Sequence, residues 1–317
     1  MSMDEAKLTT IDGDYVMPGL AATYLRVQGD EAAFIETCTS QSVPQMLAAL
    51  AEAGLTPGQV RWVIVTHVHL DHAGGASALM QACPQAQLLA HPRAARHLID
   101  PSRLVASARQ VYGAEKFDRL YGAIEPIAAE RVKTMEDGQE VQLGDAHLQF
   151  LHTRGHANHH FVVVDHARST VFTGDTFGLV YPRLQRAGRL AYPSTSPTDF
   201  DVEAAHASID RIVSLNMNSA CLTHFGEIRD LDVVGGQLHR WLDLSERLVS
   251  QAAAAGGDAA AMEARIRPEL DRAMEQAAAE AGLALDADDR KLIAFDLALN
   301  AQGLAFAAHK QASGAGA

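Results

Sequence analysis

Within six residues, His67-Val68-His69-Leu70-Asp71-His72, the chain offers four side chains able to bind a metal ion. Imidazole together with carboxylate suits zinc and other first-row divalent cations. The run follows residues 62–65, whose apolar, β-branched and aromatic character predicts a short buried strand. Where a chain leaves a strand still extended, residues i and i+2 project to the same side, so His67 and His69 can reach one ion together. Asp71 and His72 then fall at the turn into a helix and can face a second ion. Gly74-Gly75 lets the backbone turn tightly beside them. The plainer reading is a polar loop whose histidines cap a helix. Four potential ligands in six residues outweigh it.

The chain has 15 histidines, unevenly placed, and further ligands are expected in its second half. Three stretches qualify: Thr153-Arg154-Gly155-His156, Thr173-Gly174-Asp175 and Leu222-Thr223-His224-Phe225-Gly226. Each puts a metal-competent side chain beside a small residue at the end of a predicted strand, where open α/β architectures collect their sites. His152, His159 and His160 are read as supporting groups around His156. His91 could line the site but reads better as structural. His97, His147, His166, His206, His239 and His309 read as surface or packing residues. In the long segment 176–199, Tyr181, Arg183 and Tyr192, with Arg186 and Arg189, are candidate contacts for an anionic substrate. A solvated loop with ordinary charges is the competing view.

The elements that must position these groups can be read along the chain. Residues 21–27 and 32–36 predict a hairpin about Gly29-Asp30. Residues 43–53 repeat apolar side chains at helical spacing and stop at Gly54. A helix over 73–82 and a strand over 87–90 follow, then a mostly helical stretch over 92–130 with breaks near Pro101, Gly113 and Pro126. Strands are predicted at 147–152, 161–165, 170–173 and 220–223. Thr198, with Asp201 three residues on, predicts a capped helix running to 215. After about residue 230 the strand pattern disappears, and Gly256-Gly257 and Gly282 punctuate about three helices. This predicts two parts, residues 1–235 bearing the ligands and residues 236–317 forming a helical cap beside the site entrance.

Composition sets limits. Nearly half of the 317 residues, 48%, are apolar, enough for a folded core. Net charge is −13, a field that repels polyanions, so a small-molecule substrate is expected and no nucleic acid. No continuous apolar run approaches the ~20 residues of a membrane span, and no membrane partner is expected. The start, MSMDEAKLTTIDGDY, has neither the basic nor the apolar region of a secretion signal, which makes a cytoplasmic location the expectation. Cys38, Cys83 and Cys221 show no CxxC spacing and read as buried thiols. A homodimer is open.

Taken together, HxHxDH, then Gly-His, Gly-Asp and Thr-His-Phe-Gly, resemble the metallo-β-lactamase superfamily over roughly residues 15–230. That resemblance implies an α/β fold, an αββα sandwich, here with a C-terminal helical subdomain. It implies that His67, His69 and His156 bind one ion, that Asp71, His72 and His224 bind another, and that Asp175 bridges them. The cofactor expected is two divalent ions, zinc foremost, with iron or manganese as alternatives. The bridging Asp175 disfavours antibiotic hydrolysis. The acyl-homoserine lactonases usually carry Tyr three residues after that Asp, where this chain has Gly178. The usual Asp-x-Gly after the early strand is Glu36-Thr37-Cys38 here. The function implied is a metal-dependent hydrolase of an ester, thioester or lactone using a metal-bridging hydroxide, with Asp71 and Asp175 in catalytic roles. The rival is a mononuclear iron oxidoreductase of the persulfide dioxygenase type on the same fold.

Overall fold

The computed structural model describes residues 6–195 and 198–314. The first five residues of the acidic start and residues 196–197 of the long segment 176–199 lie outside this range. The chain forms two compact units. The first is Met1–His152, His159–Gly174 and Met217–Arg229, and the second is Thr153–Asn158, Asp175–Asn216 and Asp230–Ala317.

The first unit carries two six-stranded sheets. In one, β1 (Lys7–Asp12), β2 (Ala22–Gln28), β3 (Glu31–Ile35), β4 (Val60–Ile64), β5 (Gln87–Ala90) and β6 (Val132–Thr134) lie in chain order. The pairs are antiparallel from β1 to β3 and parallel from β3 to β6. The other holds β7 (Glu140–Leu143), β8 (Ala146–His152), β9 (Phe161–Asp165), β10 (Thr170–Gly174), β11 (Ser219–Leu222) and β12 (Gly226–Ile228), with β10 and β11 parallel and the remaining pairs antiparallel. The expected hairpin is β2–β3, turned at Gly29 with φ +61°. Tyr24, Ile35, Trp62 and Ile64 of the first sheet share a buried cluster with Phe150, Phe161, Val163 and Phe172 of the second. The alternate residues of the first sheet, among them Leu25, Phe34, Val63 and Leu88, point the other way and pack on helices. Both faces of these strands are therefore covered, which is why their sequences are almost continuously apolar.

The helices on that outer face are α1 (Val43–Glu52), α2 (Leu70–Ala73), α3 (Ala76–Ala82) and α4 (Pro92–Ile99), which contribute Met46, Leu79 and Leu98 among others to the cluster. The helical stretch that follows resolves into α5 (Ser102–Tyr112) and α6 (Ala114–Tyr121), separated at Gly113 with φ +79°. Pro101 is the N-cap of α5, as its position predicts.

The second unit contains α7 (Val202–Ser214), α8 (Leu231–Ala255), α9 (Ala259–Glu280) and α10 (Ala287–Ala312). Gly256 and Gly282, both at positive φ, end α8 and the α9 turn where the sequence places breaks. The cap of α7 differs from expectation: Asp201, not Thr198, accepts the Ala204 amide at 3.0 Å. A side chain at the N-cap itself reaches the free amides of the first turn, and Thr198 lies too far upstream. By length and composition α10 is apolar enough to cross a membrane, and 44% of its most apolar window is buried in this structure. Its Asn300 accepts from the Thr195 amide and donates to Pro193 O, each at 2.8 Å. At its start Arg183 and Arg186 bind Asp289 at 2.8 and 2.6 Å. These guanidiniums hold the Asp289 carboxyl well below the usual range.

One polar interaction lies deep in the first unit. Arg26, fully buried on β2, binds Asp165 at the end of β9 at 2.5 Å and Gln28 at 2.7 Å. It thereby fastens one sheet to the other. Removing one partner of such a pair strands a buried charge, at a cost of about 3–5 kcal/mol. Asp165→Ala is expected to lose stability of that order by urea unfolding. Combining Arg26→Met with Asp165→Leu is expected to recover most of the loss.

Candidate metal centre

His67 and His69 stand where β4 ends. The Phe161 amide of β9 donates to Thr66 O at 3.1 Å, so the second sheet holds the exit of a strand of the first. His69 is the N-cap of α2, its carbonyl accepting from His72 and Ala73 at 3.0 and 2.9 Å. This short turn brings the His67 ring within 4.5 Å of His69 and 4.0 Å of His72, centroid to centroid. Thr37 holds the turn from the side: its amide and hydroxyl both donate to His72 O, at 2.9 and 2.7 Å. The Gly75 amide donates to Cys38 O at 3.0 Å. A Cβ on Gly75 would collide with the carbonyl oxygens of Thr37 and Thr39, so the glycine pair serves the close approach expected of it.

Glu36 explains the departure from Asp-x-Gly. It follows β3 with φ +64°, and its side chain is buried. Its carboxylate accepts from Thr66 Oγ1 and, at 3.3 Å, from Thr223 Oγ1, and lies 3.2 Å from His72 Nδ1. A longer acid reaches all three.

The imidazoles are fixed by what their Nδ1 atoms meet. His224 Nδ1 is 2.7 Å from Leu20 O, and His156 Nδ1 is 3.1 Å from Ser194 O. A carbonyl can only accept, so both nitrogens carry the proton and Nε2 keeps its lone pair. His72 is set the same way by Glu36. Each of these Nε2 atoms faces a carboxylate: His224 and His72 lie 3.4 and 3.8 Å from Asp71, and His156 lies 3.4 Å from Asp175. Lone pairs set against carboxylate oxygens are an arrangement a cation satisfies. Two groups of potential ligand atoms, each within 4.8 Å, result: His67, His69, His156 and Asp175, and Asp71, His72 and His224. These are the seven residues singled out in the sequence, with Asp175 placed in the first group.

Other expectations land elsewhere. His91 Nδ1 accepts the Arg93 amide at 3.0 Å and caps α4. Burial first, then the neighbouring imidazoles of His152 and His159, lower its pKa to about 4. The His152 ring centroid lies 4.1 Å from that of His91, the rings tilted by 43°. His159 and His160 lie 6.1 and 5.0 Å from the His67 ring. Tyr192 is buried and donates to Asp296 at 2.8 Å, and Tyr181 reaches the same carboxylate at 3.4 Å. The Arg183 guanidinium binds Asp286 and Asp289 at the start of α10. Gly178 has no room for a side chain, because a Cβ would lie 2.7 Å from Tyr192 O. The three thiols are free and buried. Burial pushes Cys38 up to about 12 and Cys83 to about 11, and raises Cys221 as well.

Two residues escaped the sequence reading. Tyr15 and Tyr121 join hydroxyls at 2.9 Å, among Leu70, Phe117 and Tyr112. Burial, and after it the charge of Asp71, raises both phenols above their ordinary range. They stay protonated as donors in the field of Asp71. No motif links positions so far apart in sequence. The aromatic spacing of Tyr112, Phe117 and Tyr121 was the only trace.

The metallo-beta-lactamase superfamily model matches residues 17–224. This chain belongs to the metallo-β-lactamase superfamily, and its mixed sheets with flanking helices are the α/β fold of that family. A metallo-beta-lactamase fold-containing protein of Sulfurisphaera tokodaii, ST1585, is 28% identical over 170 residues, 52% of this chain and 60% of that protein. A hydroxyacylglutathione hydrolase of Legionella pneumophila is 23% identical over 117 residues, 37% of this chain and 34% of the relative. The chain thus spans less than two thirds of the curated relatives it matches. The crystal structure of ST1585 superposes with TM-score 0.66 at 20% identity, covering 94% of this chain and 97% of that one. The Thermus thermophilus protein TTHA1429 also gives 0.66, at 18% identity over 98% and 94%.

Glu36 touches His72 through the nitrogen opposite the one offered to a metal. Loss of such outer partners costs about 10–100-fold in metal affinity. Glu36→Gln is therefore expected to weaken metal retention on that scale in competition with a chromophoric chelator, with far-UV circular dichroism unchanged.

Proposed function

We propose that the chain is a dinuclear metal-dependent hydrolase acting on an ester, thioester or lactone, with two divalent ions, zinc foremost, held by His67, His69, His156 and Asp175 and by Asp71, His72 and His224. The observation that carries this reading is the pair of His/Asp groups, each with its ligand atoms within 4.8 Å. The donor set fits such ions: neutral imidazoles bind without adding charge, and two carboxylates leave a centre still net positive. The likeness to a hydroxyacylglutathione hydrolase supports the thioester option. A substrate small in size and not a nucleic acid agrees with a net charge of −13.

Bound divalent ions supply Lewis acidity, polarising a substrate carbonyl and lowering the pKa of water to about 7. The chain's own part is orientation and proton placement. Leu20 O, Ser194 O and Glu36 hold three imidazoles with Nε2 presented. Tyr15 and Tyr121 keep their protons beside Asp71 and can donate to a substrate oxygen there. The buried thiols stay protonated, which supports hydrolysis without a covalent cysteine intermediate.

Metal-replete protein is expected to hold two ions at this centre. On a panel of lactones and thioesters, Asp175→Ala should lower turnover by orders of magnitude and release metal, while Cys38→Ala, Cys83→Ala and Cys221→Ala keep the chemistry. A chain that binds no metal here, or an Asp175→Ala protein with unchanged turnover, would overturn the proposal. A single iron per chain would instead favour the oxidoreductase alternative.

A further inference from the structure

The carbonyl that orients His156 belongs to Ser194, on a stretch without regular secondary structure. Such stretches are ordinarily mobile, and a carbonyl directs an imidazole only if the peptides around it are held. One side chain holds them on both sides. Asn300, buried on α10, accepts from the Thr195 amide with Oδ1 and donates from Nδ2 to Pro193 O, each at 2.8 Å. Its main-chain oxygen also accepts from Thr195 Oγ1 at 3.2 Å. The carboxamide pairs with the backbone as a neighbouring strand would, with Ser194 between its two contacts. His156, Ser194 and Asn300 all belong to the second unit.

The residue type matters. A carboxamide offers an acceptor and a donor in one plane. An ionised carboxylate would set a second oxygen against Pro193 O, and an apolar side chain of the same size would leave two buried backbone groups without partners. Asn300 is also one member of a polar row. Asp289, Asp296 and Asn300 fall on one face of α10. Asp289 binds Arg183 and Arg186, and Asp296 accepts from Tyr192 at 2.8 Å. The row fastens the segment from Arg183 to Thr195 at three places, and Asn300 is the member that brackets Ser194. The other oriented imidazoles do not share this support, since His224 and His72 are set by Leu20 O and Glu36.

We infer that Asn300 is a positioning residue for the first group of metal ligands. Through Pro193 and Thr195 it holds Ser194 O, and through Ser194 O it keeps the proton on His156 Nδ1 and the lone pair on Nε2. The inference rests on the metal-centre reading above, and it makes α10, far along the chain from His156, part of the scaffold that presents a ligand.

The test measures zinc retention by full-length protein in competition with a chromophoric chelator, alongside the melting temperature. Wild type is expected to hold two ions. Asn300→Leu is expected to hold one of them about 10-fold more weakly, the lower end of the range for an outer partner because one more bond intervenes, and the other unchanged. In a His156→Ala background Asn300→Leu should bring no further loss of zinc, because the two substitutions act through one contact. Asp296→Asn loosens the same row at Tyr192 and is expected to lower the melting temperature with both affinities kept, which a merely structural role for Asn300 would not distinguish from Asn300→Leu. Coupling is reciprocal, so wild type alone gives a reading that needs no variant to fold: zinc should slow hydrogen exchange at the Thr195 amide and leave the Ala261 amide, capped by Asp258, unchanged. Equal zinc affinities in Asn300→Leu and wild type, an equal loss in Asp296→Asn, or a Thr195 amide that zinc does not protect overturns the inference. A wild-type chain that binds no zinc removes the metal-centre reading itself, and this inference with it.

Discussion

Three ligand-bearing segments of the candidate centre lean on one buried carboxylate, Glu36. Taking Glu36 out of water costs several kcal/mol unless it is answered; its Oε1 carries all three contacts, and the groups that make them are not arbitrary. Thr66 immediately precedes His67, Thr223 immediately precedes His224, and His72 is itself a potential ligand. One acid therefore sets three ligand-bearing segments from two different sheets. The backbone bears part of this cost, since Glu36 and Cys38 both occupy the left-handed region without being glycine. That local expense holds the 36–39 turn against the 72–75 segment, where Thr37 and Cys38 make their backbone contacts.

The sheets make such a point of convergence possible. Because the inner strands β2–β5 of the first sheet are covered on both faces, their register is fixed by packing and their ends cannot slide. The Arg26–Asp165 pair and the Phe161–Thr66 hydrogen bond tie the two sheets at separate places along their strands. Structures only 18–20% identical share the fold with a TM-score of 0.66. The fold tolerates that divergence because burial pattern and strand length set it, and many apolar sequences satisfy both.

The same reasoning separates what the sequence reveals from what it hides. Short-range signals were legible: the two-residue β2–β3 turn, the glycine breaks after α8 and α9, the apolar strands and the dense HxHxDH run. Each is a local consequence of backbone conformation or of neighbours in the chain. The ligands beyond residue 150 were legible only as a set, because a single Gly-Asp or Thr-His carries little information. Long-range pairings were opaque. Nothing near Tyr15 announces Tyr121, which lies 106 residues away. The role of Glu36 depends on Thr223, 187 residues on. Two local boundaries also shifted: α6 ends at Tyr121 before Gly122, where Pro126 was the louder signal, and α7 is capped by Asp201, where Thr198 was.

Cys38 illustrates how such a centre protects its own ligand set. It lies two residues from Glu36, and a thiolate is a soft, strongly binding ligand for divalent ions. Burial raises its pKa to about 12, outweighing the hydrogen bond to Ser42 and the nearby His72 that lower it, and the charge of Asp71 adds to the rise, so the thiol is protonated at neutral pH. The apolar packing that positions the ligands thus also decides which groups may act as ligands. Imidazole needs no ionisation to coordinate and tolerates burial, whereas a thiol in the same surroundings is silenced. That histidines and not Cys38 supply the ligand groups agrees with one physical fact, the cost of creating charge where water is excluded.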